Sequence, residues 1–317
     1  MIFHVFILLF GLMLLVKGAD WLIDGATALA KQYNISDLAI GLTVVGFGTS
    51  VPELLVNIFA SIDDHQNFVI GNIIGSNIFN LLFILGLTGL IAPVVVQSST
   101  VWKEIPISFL AIVLLFVIAN NNLSDSLIIS RAEGFAFIAF FCLFLYYVFR
   151  QLKNDIEAPK VQYKKISVRK MWAHIIVGLI LLVIGGNLLV TNAVEIAIAL
   201  GVSEKIVGLT IIAAGTSLPE LATSLSAVLK KNNDVAVGNV IGSNIFNIFF
   251  VLGTSAMIRP ISYNPVFNID LYVLSAGTIF LFIAMFSGKK KKLDRWEAFI
   301  LLAAYFVYIL YLIGKEV

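Results

Sequence analysis

The segment Gly41-Leu-Thr-Val-Val-Gly-Phe-Gly-Thr-Ser-Val-Pro-Glu53 returns 167 positions later as Gly208-Leu-Thr-Ile-Ile-Ala-Ala-Gly-Thr-Ser-Leu-Pro-Glu220. Each copy is an apolar run broken at its centre by Gly-Thr-Ser-x-Pro-Glu. A glycine, two hydroxyls, a helix breaker and a carboxylate inside a hydrophobic segment restrict the chain to folds that can satisfy them. What those folds are depends on the surrounding solvent. Hydrophobic residues make up 60% of the 317-residue chain, charged residues 13%, and mean hydropathy is +0.99. A soluble domain carries about 45–50% apolar and about 25% charged residues. Apolar runs long enough to span a bilayer recur throughout, which makes the chain a polytopic helical membrane protein. A β-barrel would show short alternating segments instead.

Ten spans of roughly 20 residues each are expected near 2–30, 38–60, 67–91, 104–120, 126–150, 171–199, 206–229, 235–258, 266–287 and 295–314. The first and sixth are long enough to require strong tilt. The N-terminal run has no preceding basic cluster and no small-residue cleavage site, and Lys17, Asp20 and Asp24 follow within it. It reads as the first span rather than a signal peptide. One cysteine, Cys142, rules out an intramolecular disulfide.

A polar, charged linker over 151–170 joins two halves, 1–150 and 171–317, of five spans each. Five is odd, so the second half enters the membrane upside down relative to the first. The chain is therefore an inverted-topology repeat, an architecture of secondary transporters that bind substrate near the bilayer midplane. Channels are also built of repeats. Lys31, Lys103, Arg150, the linker's basic residues, Lys230, Lys231, Lys289 to Lys292 and Arg295 fall on one side. Only Arg131, Lys205, Arg259 and Lys315 fall on the other. The richer side, linker included, is expected to be cytoplasmic and both termini external.

A second doubled segment is Gly71-Asn-Ile-Ile-Gly-Ser-Asn-Ile-Phe-Asn80, matched by Gly238-Asn-Val-Ile-Gly-Ser-Asn-Ile-Phe-Asn247. Gly75 and Gly242 are expected to allow local backbone distortion. Ser76 and Asn80 share a helix face, as do Ser243 and Asn247. Serine and asparagine can also serve simply as hydrogen-bonding glue between membrane helices. Ser50-Val-Pro-Glu53 and Ser217-Leu-Pro-Glu220 have the form of a capping box, with proline in the first turn of a restarted helix.

Capping leaves the energetic cost unexplained. An ionised carboxylate at the bilayer centre costs about 2.5 kcal/mol or more and needs a partner. No lysine or arginine occurs in the four broken segments, so the counter-charge is a neighbouring span, a proton or a bound cation, with a cation the favoured reading. The donors on offer are carboxylate, hydroxyl, amide and freed main-chain carbonyl oxygens. His4, His65, His174 and Cys142 all lie elsewhere. An all-oxygen set suits Ca²⁺, and also Na⁺, over zinc or copper. Two glutamates neutralise one Ca²⁺, and the same oxygens could take Na⁺ ions instead. Competition for shared ligands is the minimal physics of antiport.

These doubled segments resemble the α-repeats of the cation/Ca²⁺ antiporter superfamily, and within it the prokaryotic Na⁺/Ca²⁺ exchangers. The resemblance covers all ten spans. It implies a ten-helix all-α fold with four ion sites at the centre of helices 2, 3, 7 and 8. Glu53 and Glu220 would be shared ligands of Ca²⁺ and Na⁺, and Thr49 and Thr216 would give main-chain carbonyls to Ca²⁺. Ser50, Ser76, Ser217 and Ser243, with the carbonyls of Gly46 and Ala213, would complete outer Na⁺ sites. Asn80 and Asn247 would line the middle position. Tilted helices 1 and 6 would slide as a gate across a rigid core. The implied activity is electrogenic exchange, with the Na⁺ gradient driving Ca²⁺ out of the cell.

Several relatives, including the K⁺-dependent branch, carry aspartate where this chain has Asn247, which weighs against K⁺ cotransport. H⁺-coupled exchange at the same site is the alternative, and a passive cation channel is the rival from another class. An enzyme is not expected: Gly-x-Ser-x-Gly and His-Glu-x-x-His are both missing. The expected partners are Ca²⁺, Na⁺ and the lipid bilayer, with no cofactor, no nucleic acid and no obligate protein partner. Lys17 and Asp20 are expected to pair along helix 1, and Asp63-Asp64-His65 to form a solvated loop.

Overall fold

The computed structural model describes residues 2–121, 127–151, 167–200, 213–287 and 291–316. Most of the linker (152–166), the segment Gly208 to Ile212, Lys205, Lys289 and Lys290 lie outside the described residues. Helices appear in the order α1 (Ile2–Gln32), α2 (Asp37–Thr49), α3 (Val51–Ile62), α4 (Gln66–Ile91), α5 (Thr100–Ala119) and α6 (Arg131–Gln151) in the first half. The second half contains α7 (Val168–Ala199), α8 (Ala213–Gly215), α9 (Leu218–Leu229), α10 (Asn233–Ile258), α11 (Pro265–Ala284) and α12 (Arg295–Glu316). Among the described residues, eight are long and apolar enough to span a bilayer, α2 and α3 form one span bent by 45°, and α9 is a shorter apolar helix.

The bend follows from Pro52, which lacks an N–H and restarts the helix after Ser50. Turns are built equivalently in the two halves. After α3, Asp64 takes a left-handed φ of 66° and His65 N–H reaches back to Ala60 O at 2.8 Å. After α9, Lys231 has φ 61° and Asn232 N–H bonds Ala227 O at 2.8 Å. Both are Schellman closures at positions related by the repeat.

Helices α4 and α10 are central: 78% and 94% of their most apolar windows are buried, against 17% for α12. The long helices α1 and α7 form a separate antiparallel pair. Gly11, Gly18 and Gly25 recur every seventh residue on α1, as Gly178 and Gly185 do on α7. A side-chain carbon at Gly18 would lie 2.8 Å from Gly178 O, and one at Gly11 would lie 2.9 Å from Gly185 O. Only glycine permits backbones this close, the small-residue device of membrane helix packing.

Short antiparallel strands tie the halves together. β1 (Val94–Val95) pairs with β4 (Lys292–Leu293), in the register Val94 with Leu293. β2 (Ile128–Ile129) pairs with β3 (Ile261–Ser262). Each pair joins a loop of one repeat to a loop of the other.

Two local expectations differ, and the 63–65 loop is exposed as expected. Gly75 and Gly242 do not distort their helices. The α-helical geometry runs through them to Ile78 and Phe246, and the distortion is a π-turn over Phe79–Ile84 and over Asn247–Leu252. Asp20 pairs across to Lys230 on α9 at 3.4 Å instead of along its own helix with Lys17, and Asp24 joins the same lysine at 2.9 Å. An interhelical partner with a freely placed ammonium outcompetes the local one. Asp64 in the 63–65 loop bridges Arg259 at 3.1 Å.

Candidate cation site

Ser50 and Ser217 occupy the N-cap positions of α3 and α9, yet neither side chain caps its own helix. The expected capping boxes are not formed. Ser50 Oγ donates to Glu220 Oε1 at 2.9 Å, and Ser217 Oγ donates to Glu53 Oε1 at 3.0 Å. Each serine orients the glutamate of the opposite repeat. The exchange arises because both helix breaks meet at the centre of the molecule, where each serine hydroxyl turns to donate its proton to a carboxylate oxygen, a strong acceptor, and away from its own helix's N–H groups.

Ser243 Oγ lies 3.4 Å from both Glu220 Oε1 and Gly46 O, bringing α10 to the break in α2. Its repeat mate Ser76 faces Thr216 Oγ1 at 3.5 Å. Thr49 Oγ1 is engaged with Val45 O at 3.1 Å and Asn239 Oδ1 at 3.0 Å, so its hydroxyl is already committed. Ala213 opens α8, and residues 201–212 before it lie outside the described set.

Asparagines close the centre. Asn77 Nδ2 donates to Asn244 O and Asn244 Nδ2 to Asn77 O, each at 3.2 Å. Asn80 Nδ2 donates to Asn244 Oδ1 at 3.2 Å, and Asn247 Nδ2 to Asn77 Oδ1 at 3.1 Å. Every amide N–H₂ of the quartet therefore points at protein. Asn77 and Asn244, absent from the expected site residues, hold Asn80 and Asn247 in the orientation that frees their oxygens. The signal was their place in the repeated Gly-Ser-Asn motif.

Among the buried oxygens without a hydrogen-bond partner are Glu53 Oε2, Glu220 Oε2, Asn80 Oδ1 and Asn247 Oδ1. They form two pairs related by the repeat. Glu53 is 1% exposed and Glu220 0%, and no described lysine or arginine is buried. A neighbouring span therefore does not supply the counter-charge among the described residues. Unpaired buried carboxylate and amide oxygens are costly, and such groups call for a bound ion or a proton. Two carboxylates with neutral oxygens fit a hard cation and offer no nitrogen or sulfur ligand.

A cavity of about 860 Å³ borders both helix breaks, lined among others by Pro52, Asn72, Gly75, Thr216, Pro219 and Asp270. Phe68, Val266 and Phe267 also line it. Among the described residues, a side-chain carbon at Gly75 would meet nothing within 4 Å. At its repeat mate Gly242, the Leu42 backbone lies 2.9 Å away, and at Gly238 the Leu38 carbonyl lies 2.8 Å away. Helix α2 is thus packed tightly onto α10, while Gly71, Asn72 and Gly75 of α4 line the cavity; most of the repeat counterpart of α2, residues 204–212, lies outside the described residues.

Comparison with known proteins agrees with this architecture. The family model for sodium/calcium exchanger proteins matches residues 3–150 and 170–314. The chain is 39% identical over 310 residues to the putative antiporter CaxA of Alkalimonas amylolytica, covering 95% of each chain. It is 32% identical to the sodium/calcium exchanger MaX1 of Methanosarcina acetivorans, covering 96% of this chain and 97% of that one. The structure of the sodium-calcium exchanger NCX_Mj soaked with zero Na⁺ and Ca²⁺ superposes with a TM-score of 0.84 at 32% identity, covering 98% and 99% of the two chains. With paired helix breaks meeting at two buried glutamates and full-length similarity to exchangers, this chain belongs to the sodium/calcium exchanger protein family.

Proposed function

We propose that this protein is an antiporter that exchanges Na⁺ for Ca²⁺, the Na⁺ gradient driving Ca²⁺ outward. The observation that carries this reading is the set of four unpartnered buried oxygens on Glu53, Glu220, Asn80 and Asn247. Two negative charges balance one Ca²⁺, and that balance is met again if Na⁺ ions replace it. Glu53 and Glu220 are the ligands shared by both ions. Asn80 and Asn247 line the middle of the site, and Thr49 and Thr216 contribute main-chain carbonyls. Ser50, Ser217, Ser76 and Ser243, with the carbonyls of Gly46 and Ala213, serve the flanking Na⁺ positions.

The bias of basic residues places both termini outside and the 151–170 linker in the cytoplasm of a multi-pass cell-membrane protein. With that orientation the cavity beside Phe68 and Phe267 lies toward the outer side. Alternating access then requires the tight α2–α10 packing to open as the cavity closes. The glycine-packed α1–α7 pair is the body that crosses the site.

Uptake of radioactive Ca²⁺ into proteoliposomes preloaded with Na⁺, with K⁺, or with a pH gradient alone tests the coupling. Uptake driven by Na⁺ only is the expected result. Uptake driven by the pH gradient would establish H⁺ coupling at the same carboxylates, and flux without any counter-ion gradient would establish a channel.

A further inference from the structure

Lys17 carries a charge that the cation site does not use. It stands halfway along the 31-residue α1, inside a span, and it is exposed. The carboxylate nearest to it in the chain, Asp20, is taken by Lys230 of α9, which also holds Asp24. Among the described residues Lys17 forms no ion pair. An ammonium on the lipid-facing surface of a span is costly unless its stem carries the head to the membrane–water interface. The counter-charge on offer there is a lipid phosphate.

The surroundings of Lys17 match a phospholipid headgroup. Trp21 lies one turn further along the same face of α1. It is 39% exposed and stacks on His174 of α7, with ring centroids 5.8 Å apart and planes 9° from parallel. His174 Nδ1 is buried without a hydrogen-bond partner, and the ring is held by this stack. Lys170, one turn before His174 on the same face of α7, is exposed. Because α1 and α7 run antiparallel, the stack bridges their seam with a lysine on either side, Lys17 toward the bilayer interior and Lys170 toward the linker. Tryptophan beside lysine marks the headgroup level of a membrane. Deeper along the same faces come exposed Phe10 and Met13 of α1 and Val177 of α7, an apolar track for an acyl chain.

We propose that the α1–α7 seam binds one anionic phospholipid in the leaflet on the linker side, its phosphate held by Lys17 and Lys170 and its headgroup set against Trp21. Charge complementarity selects the lipid class. A zwitterionic headgroup would bring its own ammonium to two lysines, whereas an anionic one brings only the phosphate charge they lack. Asp20 and Asp24 do not neutralise the seam, because Lys230 engages both. The binding does not depend on which cation is exchanged. Its consequence does rest on the exchange reading: a lipid gripped by both helices bears on the body that crosses the site, so the anionic content of the bilayer sets the exchange rate.

Native mass spectrometry of the purified full chain tests the proposal, without Na⁺ or Ca²⁺ and with equal amounts of phosphatidylglycerol and phosphatidylcholine of identical acyl chains. The wild type is expected to retain one phosphatidylglycerol in preference to phosphatidylcholine. Lys17→Gln or Lys170→Gln should weaken that retention about fivefold, and both together about thirtyfold. Lys103→Gln removes a basic residue from the same side of the membrane but away from the seam, and should leave retention unchanged. Equal retention of the two lipids by the wild type, undiminished retention by the double variant, or an equal loss in Lys103→Gln would overturn the proposal. In proteoliposomes, the initial rate of Na⁺-driven Ca²⁺ uptake should respond to the phosphatidylglycerol fraction for the wild type and not for the double variant. The same response in both would also overturn it. Because lipid retention is read without ions, its failure is distinct from a failure of wild-type Na⁺-driven uptake.

Discussion

Ser50 and Glu220, 170 residues apart in the chain, are joined by a 2.9 Å hydrogen bond, and Ser217 and Glu53 repeat the contact at 3.0 Å. Each helix break thus completes the other's carboxylate. The serine holds one carboxylate oxygen, and the second has no hydrogen-bond partner. Hydrogen bonds to charged groups contribute about 1.5–3 kcal/mol. Ser50→Ala or Ser217→Ala is expected to weaken apparent Ca²⁺ affinity about tenfold or more, while the protein still folds. Ca²⁺ titration of Na⁺-driven uptake measures this.

Gly75 and Gly242 hold the same position in the two repeats but have opposite surroundings. Gly242→Ala forces a methyl against the Leu42 backbone, and overpacking of this kind costs about 1–3 kcal/mol. Gly75→Ala meets no described atom within 4 Å and gains about 1 kcal/mol of helix preference. Thermal unfolding in detergent should show Tm falling for Gly242→Ala and holding or rising for Gly75→Ala.

The α1–α7 pair depends on backbone contact at Gly18 and Gly178. Gly18→Leu cannot be absorbed by a side-chain shift, because the atoms it meets are Gly178 O and Leu182 N, each at 2.8 Å. The variant is expected to lose transport with little folded protein recovered, as measured by size-exclusion chromatography beside uptake.

Lys230 ties α9 to α1 through Asp20 Oδ1, Asp20 O and Asp24. These groups are partly exposed, so each pair contributes at most about 1 kcal/mol. Lys230→Met is expected to leave Tm nearly unchanged and to alter the exchange rate by no more than about fivefold. The difference between wild type and variant should shrink in high salt, which initial-rate measurements across ionic strength would show.

Much of this arrangement was legible in the sequence because it is repeated. The doubled Gly-Thr-Ser-x-Pro-Glu gave the broken spans, and the odd span count gave the inversion. The lack of a cation near Glu53 and Glu220 gave the ion-binding reading. What escaped was contact between repeats. Ser-x-Pro-Glu has the form of a local capping box, and nothing nearby in the chain indicates that Ser50 turns to Glu220 instead. Asn77 and Asn244 were visible as motif residues, but their role as holders of Asn247 and Asn80 exists only after the helices cross. The seven-residue glycine spacing on α1 was present in plain view. It gains meaning only beside the matching spacing on α7. The β1–β4 and β2–β3 pairs are two residues long, too short for any periodicity to mark them.

The central claim is that Glu53 and Glu220 together form one cation site and that neither suffices alone. Calorimetric titration of Ca²⁺ into the purified protein in Na⁺-free detergent solution, with Glu53→Gln and Glu220→Gln measured in parallel, tests it most directly. The account predicts saturable Ca²⁺ binding to the wild type, abolished by Na⁺, and none detectable in either single variant, with all three proteins equally monodisperse. Undiminished Ca²⁺ binding in both folded variants would contradict it.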